Sequence, residues 1–124
     1  MGLETIEYPK EYPVTLSAYT NEDSEGNAML KNHAYLATIA GEVCAIVAAS
    51  GIDKWLYGYV GTTDDPAGAG IVVQVDFVSA NGDWAGVSFL VAEGEYFEVR
   101  TDSTNAVTIL WKSFGILSKP VDQD

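Results

Sequence analysis

Across residues 84–111 apolar and polar side chains alternate with a period of two, interrupted twice by turn-forming residues. Val87, Phe89 and Val91 alternate with Ser88 and Leu90 before Ala92, Glu93, Gly94 and Glu95 break the run. Phe97 and Val99 then alternate with Glu98 and Arg100. After the polar residues 101–105, Val107, Ile109 and Trp111 alternate with Thr108, Leu110 and Lys112. Successive side chains of a strand point to opposite faces, so this pattern predicts three consecutive antiparallel strands of one sheet, the first two joined by a Gly-containing hairpin turn.

The rest of the chain reads in the same way. Tyr8-Pro9 and Tyr12-Pro13 force extended backbone, which makes residues 1–13 an N-terminal arm ahead of a domain over 14–124. Val14, Leu16 and Ala18 form a first alternating run, and residues 20–27 read as a solvated acidic loop. Residues 35–49 fit a buried helix by period. The break at Gly41 and Glu42 and the β-branched Val43, Ile46 and Val47 favour two short strands. Trp55, Tyr57 and Tyr59 put three aromatic rings on one face of a further strand, and a loop over 61–70 follows. Ile71, Val73, Val75 and Phe77 alternate next, Asn81-Gly82 supplies a hairpin turn, and residues 115–117 make a last strand that Pro120 ends. Together these predict an all-β chain, a single-domain antiparallel β-sandwich of jelly-roll type with about eight strands. Its expected core is Val43, Phe77, Phe89, Val91, Phe97, Val99, Ile109 and Trp111.

Composition narrows the function classes. The 124 residues carry 18 acids against six bases, a net charge of −12, which repels phosphate backbones and anionic lipid, so neither nucleic acid nor a membrane is expected as partner. Cys44 stands alone and excludes an intramolecular disulfide framework. Residues 1–7 have neither a basic segment nor an apolar one, so synthesis in a cytoplasm is expected, and residues 34–52 are too interrupted for a membrane-spanning helix.

Catalytic chemistry finds little footing. Gly68, Ala69 and Gly70 precede a strand, whereas a phosphate loop opens a helix. Asp64-Asp65 lacks the alternating spacing of a calcium loop. A zinc site built on His33 and Cys44, the only residues of their types, needs carboxylates to complete it, so both are read as ordinary residues and no metal or cofactor is expected. Whether His33 and Cys44 pair as base and nucleophile depends on a spatial meeting that sequence order does not decide, and no third orienting group is identifiable. Glu93 and Glu95 on a turn are solvated rather than tuned for acid–base work. The expectation is a protein that is not an enzyme.

Residues in the wrong phase are more informative. If the expected core faces inward, Leu90, Tyr96 and Leu110 face outward, with Val72 from another strand, and this set is the expected contact surface between copies. The row Trp55, Tyr57 and Tyr59 is the alternative working surface, a stacking platform for a carbohydrate or other ligand.

The run over residues 86–99, followed by Val107, Thr108, Ile109, Leu110 and Trp111, resembles the closing strands of small trimeric jelly-roll domains on bacteriophage head fibres, tail fibres and capsid decoration proteins. Residues 34–43 are similar to the segment in which such domains enter their core strands. The resemblance implies a virion structural protein, working as a homotrimer against capsid or tail proteins, with a host surface glycan as a further partner. It brings no catalytic residues.

Overall fold

The computed structural model describes residues 17–69 and 71–124. The expected arm over 1–13, and Val14 and Leu16 of the first run, lie outside the described residues. Among the described residues eight strands form: β1 (Ala34–Leu36), β2 (Gly41–Ala48), β3 (Lys54–Gly61), β4 (Ile71–Val78), β5 (Trp84–Val91), β6 (Tyr96–Thr101), β7 (Thr108–Ser113) and β8 (Val121–Asp122). One helical turn, α1 (Pro66–Ala69), lies between β3 and β4. The strands form two antiparallel sheets, a large one in the order β4-β3-β6-β1-β8 and a small one in the order β5-β2-β7. Among the described residues no helix is long and apolar enough to cross a membrane.

The two sheets share one core. Val43, Ala45 and Val47 of β2, Val87, Phe89 and Val91 of β5, and Ile109 and Trp111 of β7 meet Tyr35, Leu56, Phe97 and Val99 of the large sheet. The Phe97 and Trp111 rings stack across the gap, 5.5 Å between centroids and 7° from parallel. Trp111 Nε1 donates to the Ser118 carbonyl at 2.8 Å, so the buried indole keeps its polar group satisfied. Glycines make room for these rings. A Cβ on Gly41 would stand 2.5 Å from Trp111, and one on Gly58 would overlap the Phe89 ring.

Three nested pairs, β1 with β8, β2 with β7 and β3 with β6, are those of a long hairpin rolled on itself. Strands β4 and β5 depart from that scheme, β4 pairing with β3 and β5 with β2. The sandwich is therefore as expected, while this strand order does not establish the jelly-roll type.

Several expectations are corrected. The three runs over 84–111 do not share a sheet: β5 and β7 flank β2 in the small sheet, and β6 lies between β3 and β1 in the large one. The turn at residues 92–95 does form, with Glu95 N donating to the Ala92 carbonyl at 3.0 Å and Gly94 at a φ of +82°, but it carries the chain across the sandwich and closes no hairpin. Asn81-Gly82 behaves likewise, passing from β4 in one sheet to β5 in the other.

Residues 35–49 hold the end of β1 and all of β2, two strands as expected, but the break falls at residues 37–40 and the expected break residues Gly41 and Glu42 open β2. Ala18 lies outside any strand; among the described residues Thr20 bridges Trp111 and the Ser17 N–H donates to the Gly115 carbonyl at 2.8 Å. The last strand comes after Pro120 rather than before it. In the 20–27 loop Asp23 is only 1% exposed, its carboxylate accepting the N–H groups of Glu25 and Asn27.

Candidate functional site

Strand β4 is inverted relative to its sequence pattern. Leu56 of β3 is fully buried and stands opposite Asp76, while Gly58, against Phe89, stands opposite Gln74. Directly opposed residues share a face, so the polar side of β4 points inward. Asp76 explains the phase: its Oδ2 accepts the Gly86 N–H of β5 at 2.9 Å, tying the open edge of the small sheet to the large one. With Asp76 turned in, Val75 and Phe77 must turn out. Phe77, expected in the core, is 43% exposed, whereas the other seven expected core residues are all buried.

The outward side of β4 joins the aromatic row of β3. Phe77 stands opposite Trp55, Val75 opposite Tyr57 and, after a register shift at Gly58 and Tyr59, Val72 opposite Tyr59. The Trp55 ring lies 4.5 Å from that of Phe77 and 6.2 Å from that of Tyr57, the latter pair only 15° from parallel. Tyr57 and Tyr59 follow at 6.1 Å. Six apolar or aromatic side chains thus form one outer patch. Beside it Glu98, only 3% exposed, pairs with Arg100 at 2.6 Å, so these two charges neutralise each other, and the Asp102 carboxylate accepts the Trp55 N–H at 2.8 Å.

The expected contact set is divided by this arrangement. Val72 belongs to the outer patch of the large sheet, and half-buried Tyr96 lies on β6 of that sheet. Leu90 and Leu110 lie on the outer face of the small sheet instead, because β5 and β7 pair with β2. That face is laced with polar contacts. The Tyr19 hydroxyl donates to Glu42, Ser88 Oγ donates to the same carboxylate at 3.0 Å, and Cys44 Sγ donates to Ser88 at 3.6 Å. The bond to Glu42 pushes the Tyr19 hydroxyl up to about 12, since ionising it would lose a donor beside a carboxylate.

The remaining candidates are scattered. His33 sits beside β1 with Asp122 and Asp124 near its ring, and Cys44 lies on β2 in the other sheet, so their contacts do not include each other. Asp65 caps α1, its Oδ1 accepting the Gly68 N–H at 3.1 Å, which places a carboxylate where a phosphate would have to bind. Glu95 is held in its turn by the Ala92 N–H at 2.9 Å. Glu93 faces an open groove of about 690 Å³ lined mainly by Ile39, Phe114, Ile116 and Leu117, where it is the only ionisable side chain among the described residues.

Sequence reasoning found Trp55, Tyr57 and Tyr59 through their spacing but missed Val75, which it placed on neither surface, and Phe77, which it assigned to the core. The signal was Asp76 and Gln74, two polar residues as regular in their phase as the apolar ones. The chain matches no protein-family model, no curated protein and no solved structure, so the functional reading rests on this face and on the resemblance.

Proposed function

We propose that this chain is a non-enzymatic structural protein that works by association through the outer face of its large sheet. The role implied by the resemblance, a bacteriophage virion protein decorating the capsid or forming the tip of a short head or tail fibre, is the setting for that contact. The inverted strand β4 carries the reading, because it adds Val72, Val75 and Phe77 to a row of three rings on the solvent side. Covering such a patch contributes about 25 cal/mol per Å², and contiguous apolar patches of this kind mark contact surfaces. Charge favours the same face. Copies at −12 repel one another, and at this face Glu98 and Arg100 compensate each other, leaving the exposed Asp102 beside Trp55 at the rim. A homotrimer is the proposed order, carried over from the resembling domains.

Carbohydrate binding is the second reading, favoured by the near-parallel Trp55 and Tyr57 rings with Arg100 opposite Tyr57 in register. Flat rings beside a polar group suit the apolar face and hydroxyls of a sugar.

Hydroxyl-radical footprinting across a range of protein concentrations tests the proposal. Association through this face protects Trp55, Tyr57 and Phe77 as concentration rises and leaves Trp84 and Leu90 reactive. Protection confined to Trp84 and Leu90, or none at any concentration, overturns it. Protection of Trp55 and Tyr57 only on adding oligosaccharide supports the second reading instead.

A further inference from the structure

We propose that His33, Asp122 and Asp124 form a binding site for one divalent transition-metal ion, Zn²⁺ by preference, which fastens strand β8 to the start of β1. The inference is independent of the aromatic face. His33 and Asp122 are 89 positions apart in sequence, and the residues are brought together by the pairing of Tyr35 with Asp122 and of Leu36 with Val121. One potential ligand atom from each lies within 4.8 Å of the other two. His33 Nδ1 is 3.2 Å from Asp122 Oδ2 and 3.9 Å from Asp124 Oδ2. Zinc bonds to imidazole and carboxylate imply an edge of about 3.4 Å between tetrahedral ligands, and the two distances bracket it.

The donors are already oriented by contacts outside the ligand set. Asp124 Oδ2 accepts the Ala34 N–H at 3.1 Å, and the His33 ring stacks on Tyr35 with 6.3 Å between centroids. Asp122 Oδ1 accepts the Asp124 N–H at 3.0 Å, leaving its Oδ2 turned to the imidazole. Such supporting bonds fix ligand orientation at metal sites. The charge also lacks compensation, for among the described residues no lysine or arginine pairs with either acid and only the imidazole faces both. A divalent ion held between His33 Nδ1 and the two carboxylates neutralises them and keeps coordination positions for water. One nitrogen with two carboxylates suits zinc or cobalt, whereas calcium and magnesium favour oxygen ligands alone.

Because His33 is the only histidine, its ring signals in a nuclear magnetic resonance spectrum report this site without ambiguity. The experiment titrates the full, tag-free chain with Zn²⁺ and, separately, with Ca²⁺. The expected result is a change in the His33 ring signals that saturates at one Zn²⁺ per chain, weakens at least tenfold in Asp122→Asn and in Asp124→Asn, and is absent with Ca²⁺. Zn²⁺ binding that leaves the ring signals unmoved, or no binding at all, overturns the proposal. If Asp122→Asn does not fold, the ring signals of the unaltered chain still decide.

Discussion

The ring of Phe77 lies against that of Trp55, 4.5 Å between centroids and tilted by 48°, on the solvent side of the large sheet. Phe97, the same residue type in the neighbouring sequence pattern, is wholly buried and stacks on Trp111. The two phenylalanines should therefore behave differently. Phe97→Ala is expected to cost about 3–5 kcal/mol, whereas Phe77→Ala in the dissociated chain should cost under about 1 kcal/mol, as measured by urea unfolding. Equal losses would place Phe77 in the core after all.

Gly58 is the point at which the two sheets approach through a missing side chain. A Cβ there overlaps the Phe89 ring, so Gly58→Ala should lose about 1–3 kcal/mol through overpacking. Gly41→Ala should be the more damaging, because its Cβ also meets the Lys112 backbone carbonyl at 2.6 Å, which a rotamer change cannot relieve. Gly86→Ala, with 3.5 Å to its nearest neighbour, is the comparison expected to unfold at nearly the parent denaturant midpoint.

What was legible in the sequence was local. Alternation marked β5, β6 and β7, β-branched residues marked β2, and Gly94 and Gly82 marked turns that the structure contains at φ values of +82° and +86°. A turn residue fixes how the chain reverses but not which sheet the next strand joins, and both turns cross the sandwich where hairpins were expected. Partner choice depends on contacts far apart in sequence, such as Gly58 with Phe89. The candidate face was half legible for the same reason. Trp55, Tyr57 and Tyr59 declared themselves by spacing, but the phase of β4 is set by Asp76 meeting Gly86 across the sandwich edge. Neither alternating set of β4 announces that it faces out.

Asp76 gives that argument its own test. Asp76→Ala removes the acceptor of the Gly86 N–H, a partly solvated bond whose net contribution is about 0.5–1.5 kcal/mol. Amide hydrogen exchange at Gly86 should accelerate while exchange in the middle of β2 stays slow. Unchanged exchange at Gly86 would mean that this bond does not hold the sheet edges together.

Alkaline pH should destabilise the fold through Tyr35. Burial pushes its hydroxyl from 10.0 up to about 12, against the opposing effect of the Leu30 N–H that it accepts at 2.7 Å. The folded state holds the proton more tightly than the unfolded chain. This contribution is complete below pH 10 and disappears as pH rises towards 12. Tyr35→Phe should flatten the decline above pH 10, at a cost near neutrality of about 1–3 kcal/mol from the unsatisfied Leu30 N–H. Denaturant midpoints recorded across that interval for both proteins measure the difference.

Sedimentation equilibrium of the full, tag-free chain at micromolar concentration and moderate salt bears most directly on association through the outer face of the large sheet. A species of three times the 13.3 kDa chain mass is expected. Val75→Glu/Phe77→Glu should reduce it to single chains, and Leu90→Asp/Leu110→Asp should leave it intact. A 13.3 kDa monomer for the unaltered chain, or dissociation by the Leu90 and Leu110 changes with none by the Val75 and Phe77 changes, would contradict association through that face.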